Sequence, residues 1–224
     1  LIELAPYGVF SLLLTLFAVK GIGVIGDLSK YFFLLLFVLL FHALVTYGLF
    51  ITLIAKLNPI TFFGKLRSLS VFAFSTSSSS ATMPVTLRTV TTKLGVKPSI
   101  GSFTIPLGAT VNMDGTAIMQ GIATVFIAQA YNIDLTTIDY LMVILTATLA
   151  SIGTAGVPGV GLIMLAMVLE QVGLPVEGIA LIIGVDRLLD MTRTVVNVCG
   201  DSMVSCVVAK SEGEFDKEIF DRKI

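Results

Sequence analysis

The feature that most constrains this chain is an apolar run from Tyr31 to Ala55 that contains no Asp, Glu, Lys or Arg. As an α-helix, this run is long enough to cross about 30 Å of membrane hydrocarbon. Of the 224 residues, 55% are hydrophobic and only 13% are charged, whereas a soluble domain carries about a quarter charged residues. The sequence therefore predicts an all-α integral membrane protein that spans the cell membrane, plasma or inner, several times. The net charge of -1 and the lack of a basic patch argue against nucleic acid as a partner and leave membrane lipid as the expected one.

Two further segments are apolar at both ends but small and polar in the middle, at residues 75–84 and 153–161. Each is predicted to be a re-entrant helical hairpin, because irregular backbone at membrane depth must be buried in protein or line a cavity. One kinked helix per segment is the alternative. Lys and Arg flank the first segment on both sides, and the loops 132–139 and 171–178 contain none. The positive-inside rule then has the first hairpin enter from the cytoplasm and the second from outside.

These patterns divide the chain into six segments. They are two transmembrane helices (1–57), the first re-entrant hairpin (58–99), a broken transmembrane helix (100–137), the second re-entrant hairpin (138–173), a final transmembrane helix with charged residues (174–210) and a cytoplasmic tail that we expect to be solvated (211–224).

The two halves of the chain also repeat a spacing. Pro84 in the first tip lies 114 − 84 = 30 residues before Asp114, and Pro158 in the second tip lies 190 − 158 = 32 residues before Asp190. Because the two hairpins enter from opposite sides, this spacing predicts an inverted repeat with interrupted helices. In transporters of that kind, the binding site lies near the bilayer midplane.

The final helix carries a charged stripe. At about 100° per residue, five polar side chains fall within an arc of roughly 80°: Asp186, Asp190, Arg193, Asn197 and Asp201. Each charge in a lipid-embedded helix costs roughly 3 kcal/mol. A self-neutralising cluster that fixes helix packing would account for Arg193 with Asp190, but it would leave other acids without a cation. Bound sodium ions, coordinated by carboxylate and carbonyl oxygens, would supply that charge.

Arg193 and Asp190 have complementary chemistry. A guanidinium holds a carboxylate with two parallel hydrogen bonds, and a carboxylate one turn away can hold an ammonium group. Together they suit an amino acid with an extra carboxylate. Free backbone N–H groups and hydroxyls of the two tips can take the remaining carboxylate.

Four motifs in order resemble those of the dicarboxylate/amino acid:cation symporter family, which includes the glutamate/aspartate transporters. They are the serine-rich tip ending at Ala81-Thr82-Met83-Pro84, the run Asn112-Met113-Asp114-Gly115-Thr116, the run Gly153-Thr154-Ala155-Gly156-Val157-Pro158-Gly159, and Asp190-Met191-Thr192-Arg193-Thr194 with Asn197 and Asp201. The match covers essentially the whole chain as the C-terminal half of the family.

The resemblance implies sodium-coupled symport of L-aspartate or L-glutamate. It also implies a homotrimer, an elevator-type alternating-access mechanism, and a second hairpin that serves as the extracellular gate. The implied substrate residues are Ser78, Ser79, Thr116, Val157, Gly161, Asp190, Arg193, Thr194 and Asn197. The three implied sodium sites use Gly108, Asn112, Asn197 and Asp201; the backbone of Thr110, Ser151, Ile152 and Thr154; and Asn112 with Asp114 and a helix that is not in this chain.

Some residues depart from the family pattern. Archaeal members have Arg at the position of Ser77, and animal members have Arg at the position of Met191; we hypothesise that Arg187 replaces the latter in tuning Asp190. Proton-coupled symport of glutamate/aspartate or of C4-dicarboxylates by the same fold is the alternative function. Outside transporters, an intramembrane aspartyl protease would need Asp114 and Asp190 to share a proton, which Arg193 opposes. The chain is therefore predicted not to be an enzyme.

Overall fold

The structure is a computed structural model that describes residues 10, 11, 14 and 24–222. The predicted first transmembrane helix, in the early part of segment 1–57, lies largely outside the described residues. Within those residues, the chain forms helices joined by turns, with one isolated antiparallel bridge between Val96 and Phe215. The prediction of an all-α fold is confirmed.

Helix α1, Val24–Phe41, continues almost unbroken through two π-helical turns, His42–Tyr47 and Phe50–Ile54. Its buried residues recur every three or four positions, at Leu28, Tyr31, Leu35 and Leu39, which is the period of one helix face. The opposite face exposes large apolar side chains, including Phe33, Phe37 and Phe41. Among the described residues, Gly26–Ile54 is the one helical stretch long and apolar enough to cross a membrane.

Helices α2, Pro59–Thr76, and α3, Ser79–Thr92, pack against each other and form the first helical pair. The Asn58 side chain begins α2 by accepting hydrogen bonds from the backbone N–H groups of Ile60 and Thr61, as an N-cap does. Ser77 ends the helix in the left-handed region at φ 50°. The Ser78 side chain then caps α3 through the Ala81 N–H. Residues 77–80 are called the first tip below.

Helices α4, Pro98–Val111, and α5, Asp114–Ala130, follow each other with only Asn112 and Met113 between them. Neither residue has helical backbone angles. The interruption leaves the last carbonyls of α4 and the first N–H groups of α5 without partners inside their own helices. Side chains of another helix supply some of these partners, as described below.

Helices α6, Thr137–Ser151, and α7, Val160–Gln171, form the second helical pair, which packs on α5. Thr136 and Asp139 begin α6 with a reciprocal capping box, which satisfies two otherwise free N–H groups. Residues 152–159 connect α6 to α7 and are called the second tip. Gly153 and Gly159 have φ angles of +82° and +80° there, and only glycine adopts these without strain.

Helix α8, Ile183–Ser211, follows a 3-10 turn at Val176–Leu181 and is the most central element of the described fold. It packs against α1, α2, α3, α4 and α5, which together cover nearly all of its charged stripe. The short helix α9, Lys217–Asp221, lies in the tail. Most of the tail is exposed, but it is attached to the rest of the fold, since Phe220 is buried and Phe215 forms the bridge to Val96.

Candidate functional site

Arg193 is at the centre of the candidate site. Its side chain is fully buried in α8 and forms ion pairs with two acids of the same helix. Nη1 and Nη2 donate to the two carboxylate oxygens of Asp186, at 2.6 and 3.2 Å, and Nη2 also donates to Asp190 Oδ1 at 2.9 Å. A buried charge needs such partners, because desolvation without them costs several kcal/mol. The two acids are seven and three residues before Arg193, and thus on one helix face.

Asp190 joins this cluster to the second tip. While Oδ1 accepts from Arg193, Oδ2 accepts the backbone N–H of Gly159 at 3.2 Å. Its side chain is 13% exposed, against 5% for Asp186. Asp190 is therefore the more accessible of the two acids, and its second oxygen is the one that a bound ammonium group could share.

The two tips contact each other directly. The carbonyl oxygen of Gly156 accepts hydrogen bonds from the Ser78 hydroxyl at 2.6 Å and from the Ser80 N–H at 3.1 Å. The approach is close, since a Cβ added to Gly156 would lie 2.8 Å from Ser80 Oγ and 3.1 Å from Ser79 Cβ. Asp190, which accepts the Gly159 N–H and pairs with Arg193, links this pair of tips to the buried guanidinium.

The remaining predicted substrate residues differ in their surroundings. A Cβ at Gly161 would lie 3.3 Å from Thr116 Cγ2 and 3.7 Å from Arg193 Nη2, so these three residues are neighbours. Thr194 is buried, and its hydroxyl donates to the Asp190 carbonyl within α8. Val157 is 46% exposed at the second tip.

The residues predicted for the first sodium site come together where α4 is interrupted beside α8. Asn112 Nδ2 donates to Asp201 Oδ1 at 2.9 Å. A Cβ at Gly108 would lie 2.5 Å from that same oxygen, so only glycine lets the carboxylate approach α4. The Asn197 side-chain oxygen accepts the Gly115 N–H at 2.8 Å, which supplies one partner for the start of α5.

The second and third predicted sodium sites differ in their surroundings. The Thr110 carbonyl accepts the Gly153 N–H at 2.7 Å, and this brings it next to Ser151, Ile152 and Thr154. In the third site, Asp114 Oδ2 accepts hydrogen bonds from His42 Nε2 at 3.1 Å and from the Tyr47 hydroxyl at 3.0 Å. Both partners lie in the π-helical turn that follows α1.

A π-helical turn accounts for this pair of contacts with Asp114. His42 and Tyr47 are five residues apart, so an α-helix would place them on different faces. A π-helix closes its hydrogen bonds between residues five apart, which brings the two side chains to one side with ring centroids 4.8 Å apart. Such turns often occur at functional sites.

Sequence reasoning missed Asp186, Tyr47 and His42 as members of the site. Asp186 was recognisable from its place in the charged stripe, two turns before Arg193. The role of Tyr47 could not be found in this way, because its partner lies 67 residues away. Arg187 is exposed and forms no ion pair with a described residue, so the hypothesis that it tunes Asp190 has no contact to support it.

Asp114 and Asp190 have separate partners: His42 and Tyr47 for the first, and Arg193 and Gly159 for the second. They do not form the carboxylate pair that an aspartyl protease needs.

Comparison with known proteins gives a consistent result. The profile of the sodium:dicarboxylate symporter family matches residues 1–211. Excitatory amino acid transporter 1 of Rattus norvegicus is 42% identical over 206 residues, which cover 91% of this chain and 38% of the relative. The proton/glutamate-aspartate symporter of Escherichia coli (strain K12) is 40% identical over 217 residues, 96% of this chain and 48% of the relative.

A third relative, the proton/sodium-glutamate symport protein of Bacillus subtilis (strain 168), is 38% identical over 214 residues, covering 96% of this chain and 49% of the relative. The chain thus spans less than half the length of each of these relatives.

Proposed function

The chain belongs to the sodium:dicarboxylate symporter family, and we propose that it forms the substrate- and sodium-binding part of a symporter for acidic amino acids. The family is one of transporters and not of enzymes. The observation that carries the proposal is the buried guanidinium of Arg193, which is paired with Asp186 and with Asp190, and Asp190 in turn accepts the Gly159 N–H of the second tip.

Arg193 and Asp190 divide the recognition of substrate between them. Asp186 neutralises and orients the guanidinium, and the remaining N–H groups grip the side-chain carboxylate of aspartate or glutamate. Asp190 holds the ammonium group, with the Asn197 and Thr116 side chains beside it. Hydroxyl and N–H groups of Ser78, Ser79 and the second tip bind the α-carboxylate. Because a plain dicarboxylate has no ammonium group for Asp190, this arrangement favours an amino acid.

Sodium is proposed to bind where helices are interrupted. Asp201 supplies a carboxylate, Asn112 and Asn197 supply amide oxygens, and Gly108 supplies a carbonyl oxygen. Within the described residues, no three His, Cys, Asp or Glu side chains converge, so most ligands of each ion would be carbonyl oxygens. Hard monovalent cations accept such a set, and broken helices expose it. Asp114 would contribute to a further ion site beside α1.

The two helical pairs are proposed to be re-entrant hairpins of an inverted repeat. Both pairs consist of two helices that pack against each other and are joined at a tip, and the tips meet at Gly156. The first pair enters from the cytoplasm. The second pair is the extracellular gate, which closes over substrate and sodium. The whole site then moves across the membrane like an elevator within a homotrimer surrounded by lipid.

Proton coupling is the second candidate, because the relatives from Escherichia coli and Bacillus subtilis are named as proton and proton/sodium symporters. In that case the fold and the amino-acid site stay the same, and protons rather than sodium ions drive the transport. For the transported substrate, the alternative is a C4-dicarboxylate.

Uptake into proteoliposomes distinguishes these candidates. The full-length protein is reconstituted, and labelled L-aspartate uptake is measured with an inward sodium gradient, with a proton gradient and with neither. We expect uptake that requires sodium and is inhibited by L-glutamate but not by succinate or serine. Uptake driven by protons alone would replace the sodium proposal, and uptake of succinate would overturn the role of Asp190.

A further inference from the structure

The first helical pair is attached to the tail at the end opposite its tip. The connection between α3 and α4, residues 93–97, lies beside residues 214–216. The Lys97 N–H donates to the Glu214 carbonyl at 3.1 Å, and the Asp216 N–H donates to the Gly95 carbonyl at 2.7 Å. These two bonds lie on either side of the Val96–Phe215 bridge. The exposed side chains of Lys97 and Glu214 add an ion pair at 2.8 Å.

Lys65 lies at the centre of this attachment. Its side chain, on α2, is buried, and Nζ donates to the carbonyl oxygens of Lys93 at 2.9 Å and Ile219 at 2.7 Å. Both oxygens belong to helix C-terminal ends, those of α3 and α9, where carbonyls lack helical partners. A cation is favourable there. One ammonium group thus joins both helices of the first pair to the segment that follows α8.

Two packing features make the attachment specific. Phe220 of α9 is buried, and its ring lies 5.6 Å from Lys65 Nζ, within the range of a cation–π contact. Gly95 has a φ of +80°, and a Cβ there would lie 2.0 Å from the Asp216 carbonyl oxygen. The backbone of the tail therefore occupies the space that any other residue at position 95 would fill.

Among residues 24–222, the second helical pair has no comparable attachment. It packs on α5 and on the 3-10 turn, and neither α6 nor α7 packs extensively along α8 within the described residues. Gly159 at the tip donates a hydrogen bond to Asp190 of α8. The first pair, in contrast, packs along α8 through both α2 and α3.

We propose that residues 212–222 and Lys65 form a clasp that fixes the first helical pair to α8 and stays closed during transport. The clasp is a positioning device. By holding the first pair against α8, it keeps Ser78 and Ser79 at a fixed position relative to Arg193 and Asp190. That these positions matter for transport rests on the proposed function, whereas the existence of the clasp can be tested without substrate.

Opening of the clasp can be followed with a thiol that the chain already contains. Cys199 on α8 is buried against α2, with Sγ 3.9 Å from Ser70 Oγ. In a Cys206→Ala background of the full-length protein, alkylation of Cys199 by N-ethylmaleimide, measured on the peptide that contains it, reports separation of the first pair from α8.

The disrupting variant is Gly95→Ala, and its matched control is Gly173→Ala. Both glycines have positive φ, but a Cβ at Gly173 would meet nothing within 4 Å, so only Gly95→Ala pushes against the tail. We expect Gly95→Ala to raise the alkylation rate of Cys199 by about tenfold or more, since alkylation follows the population of the locally opened state. Equal rates in the two variants would overturn the clasp.

A locking variant tests whether the clasp stays closed. Lys97→Cys with Glu214→Cys, in a full-length protein from which the native cysteines are removed, places thiols on neighbouring exposed positions that oxidation can link. We expect the oxidised protein to retain most of its aspartate uptake. Loss of uptake that a reductant restores would show that the clasp must open, and would overturn the proposal. Absence of uptake even before oxidation would count against the proposed function, and the alkylation result would still decide the existence of the clasp.

Discussion

At the residue scale, the position of Arg193 illustrates how a charge is made available in a membrane. Two of its hydrogen bonds go to the more deeply buried Asp186 and one goes to the more accessible Asp190. The charge of the guanidinium is thereby neutralised, but not all of its donors are used, because it carries five N–H donors. This division gives Asp186 a positioning role that differs from the substrate contact proposed for Asp190.

Arg193→Cys tests the substrate contact. We expect uptake of acidic substrate to fall about 100-fold or more, because hydrogen bonds to charged groups contribute about 1.5–3 kcal/mol each. Competition by a neutral amino acid such as serine should appear at the same time. Serine competition checks that the protein still folds, and glutamate uptake equal to that of the unmodified protein would contradict the assignment.

Asp201→Asn tests the first sodium site. The substitution keeps the shape of the side chain and removes its charge, so the sodium concentration for half-maximal uptake should rise by about tenfold, equivalent to about 1.4 kcal/mol. Asp134→Asn is the control, because Asp134 is exposed in the loop between α5 and α6. An unchanged sodium dependence in Asp201→Asn would remove Asp201 from the site.

At the element scale, helix ends determine where the functional groups lie. The first tip depends on α2 ending at Ser77 and α3 beginning at Ser79, and the interruption at Asn112 and Met113 exposes backbone groups beside Asp201. The local sequence predicted these interruptions from small and polar residues in apolar surroundings. It did not predict the π-helical turns, the first of which presents His42 and Tyr47 to a partner, Asp114, that lies far away along the chain.

Asn58→Ala tests the start of α2. Loss of the N-cap leaves the N–H groups of Ile60 and Thr61 without their acceptor, and we expect the free energy of unfolding to fall by about 1 kcal/mol. Thermal unfolding in detergent measures it. Asn58→Asp is the matched control, since it keeps the acceptor and adds a negative charge at a helix N-terminus. An equal loss in Asn58→Asp would show that the hydrogen bonds are not responsible.

At the scale of the whole molecule, glycines set how closely helices approach α8. A Cβ at Gly200 would lie 2.6 Å from Asn112 Nδ2 and 2.7 Å from the Tyr47 hydroxyl. The absence of a side chain there lets α1 and the interruption between α4 and α5 meet on one face of α8. The proposed ion sites depend on this approach.

Gly200→Ala tests the close approach. We expect it to lower the free energy of unfolding by about 1–3 kcal/mol, as overpacking does, and to weaken sodium dependence through displacement of Asn112. Gly48→Ala is the control: a Cβ there meets nothing within 4 Å, so it should leave both properties unchanged or raise stability slightly. Equal thermal stability of the two variants would contradict the packing argument.

The sequence by itself determined the membrane class, the all-α fold, the family and the polar residues that α8 carries. Hydropathy, helical period and motif are properties of neighbouring residues, so they can be read along the chain. Only the tertiary structure decided that Asp186 shares Arg193 with Asp190, that the π-helical turn after α1 binds Asp114, and that Lys65 joins Lys93 to Ile219. Several of these contacts join residues between 28 and 154 positions apart, and their geometry follows from how closely the helices pack around α8, which no local pattern encodes.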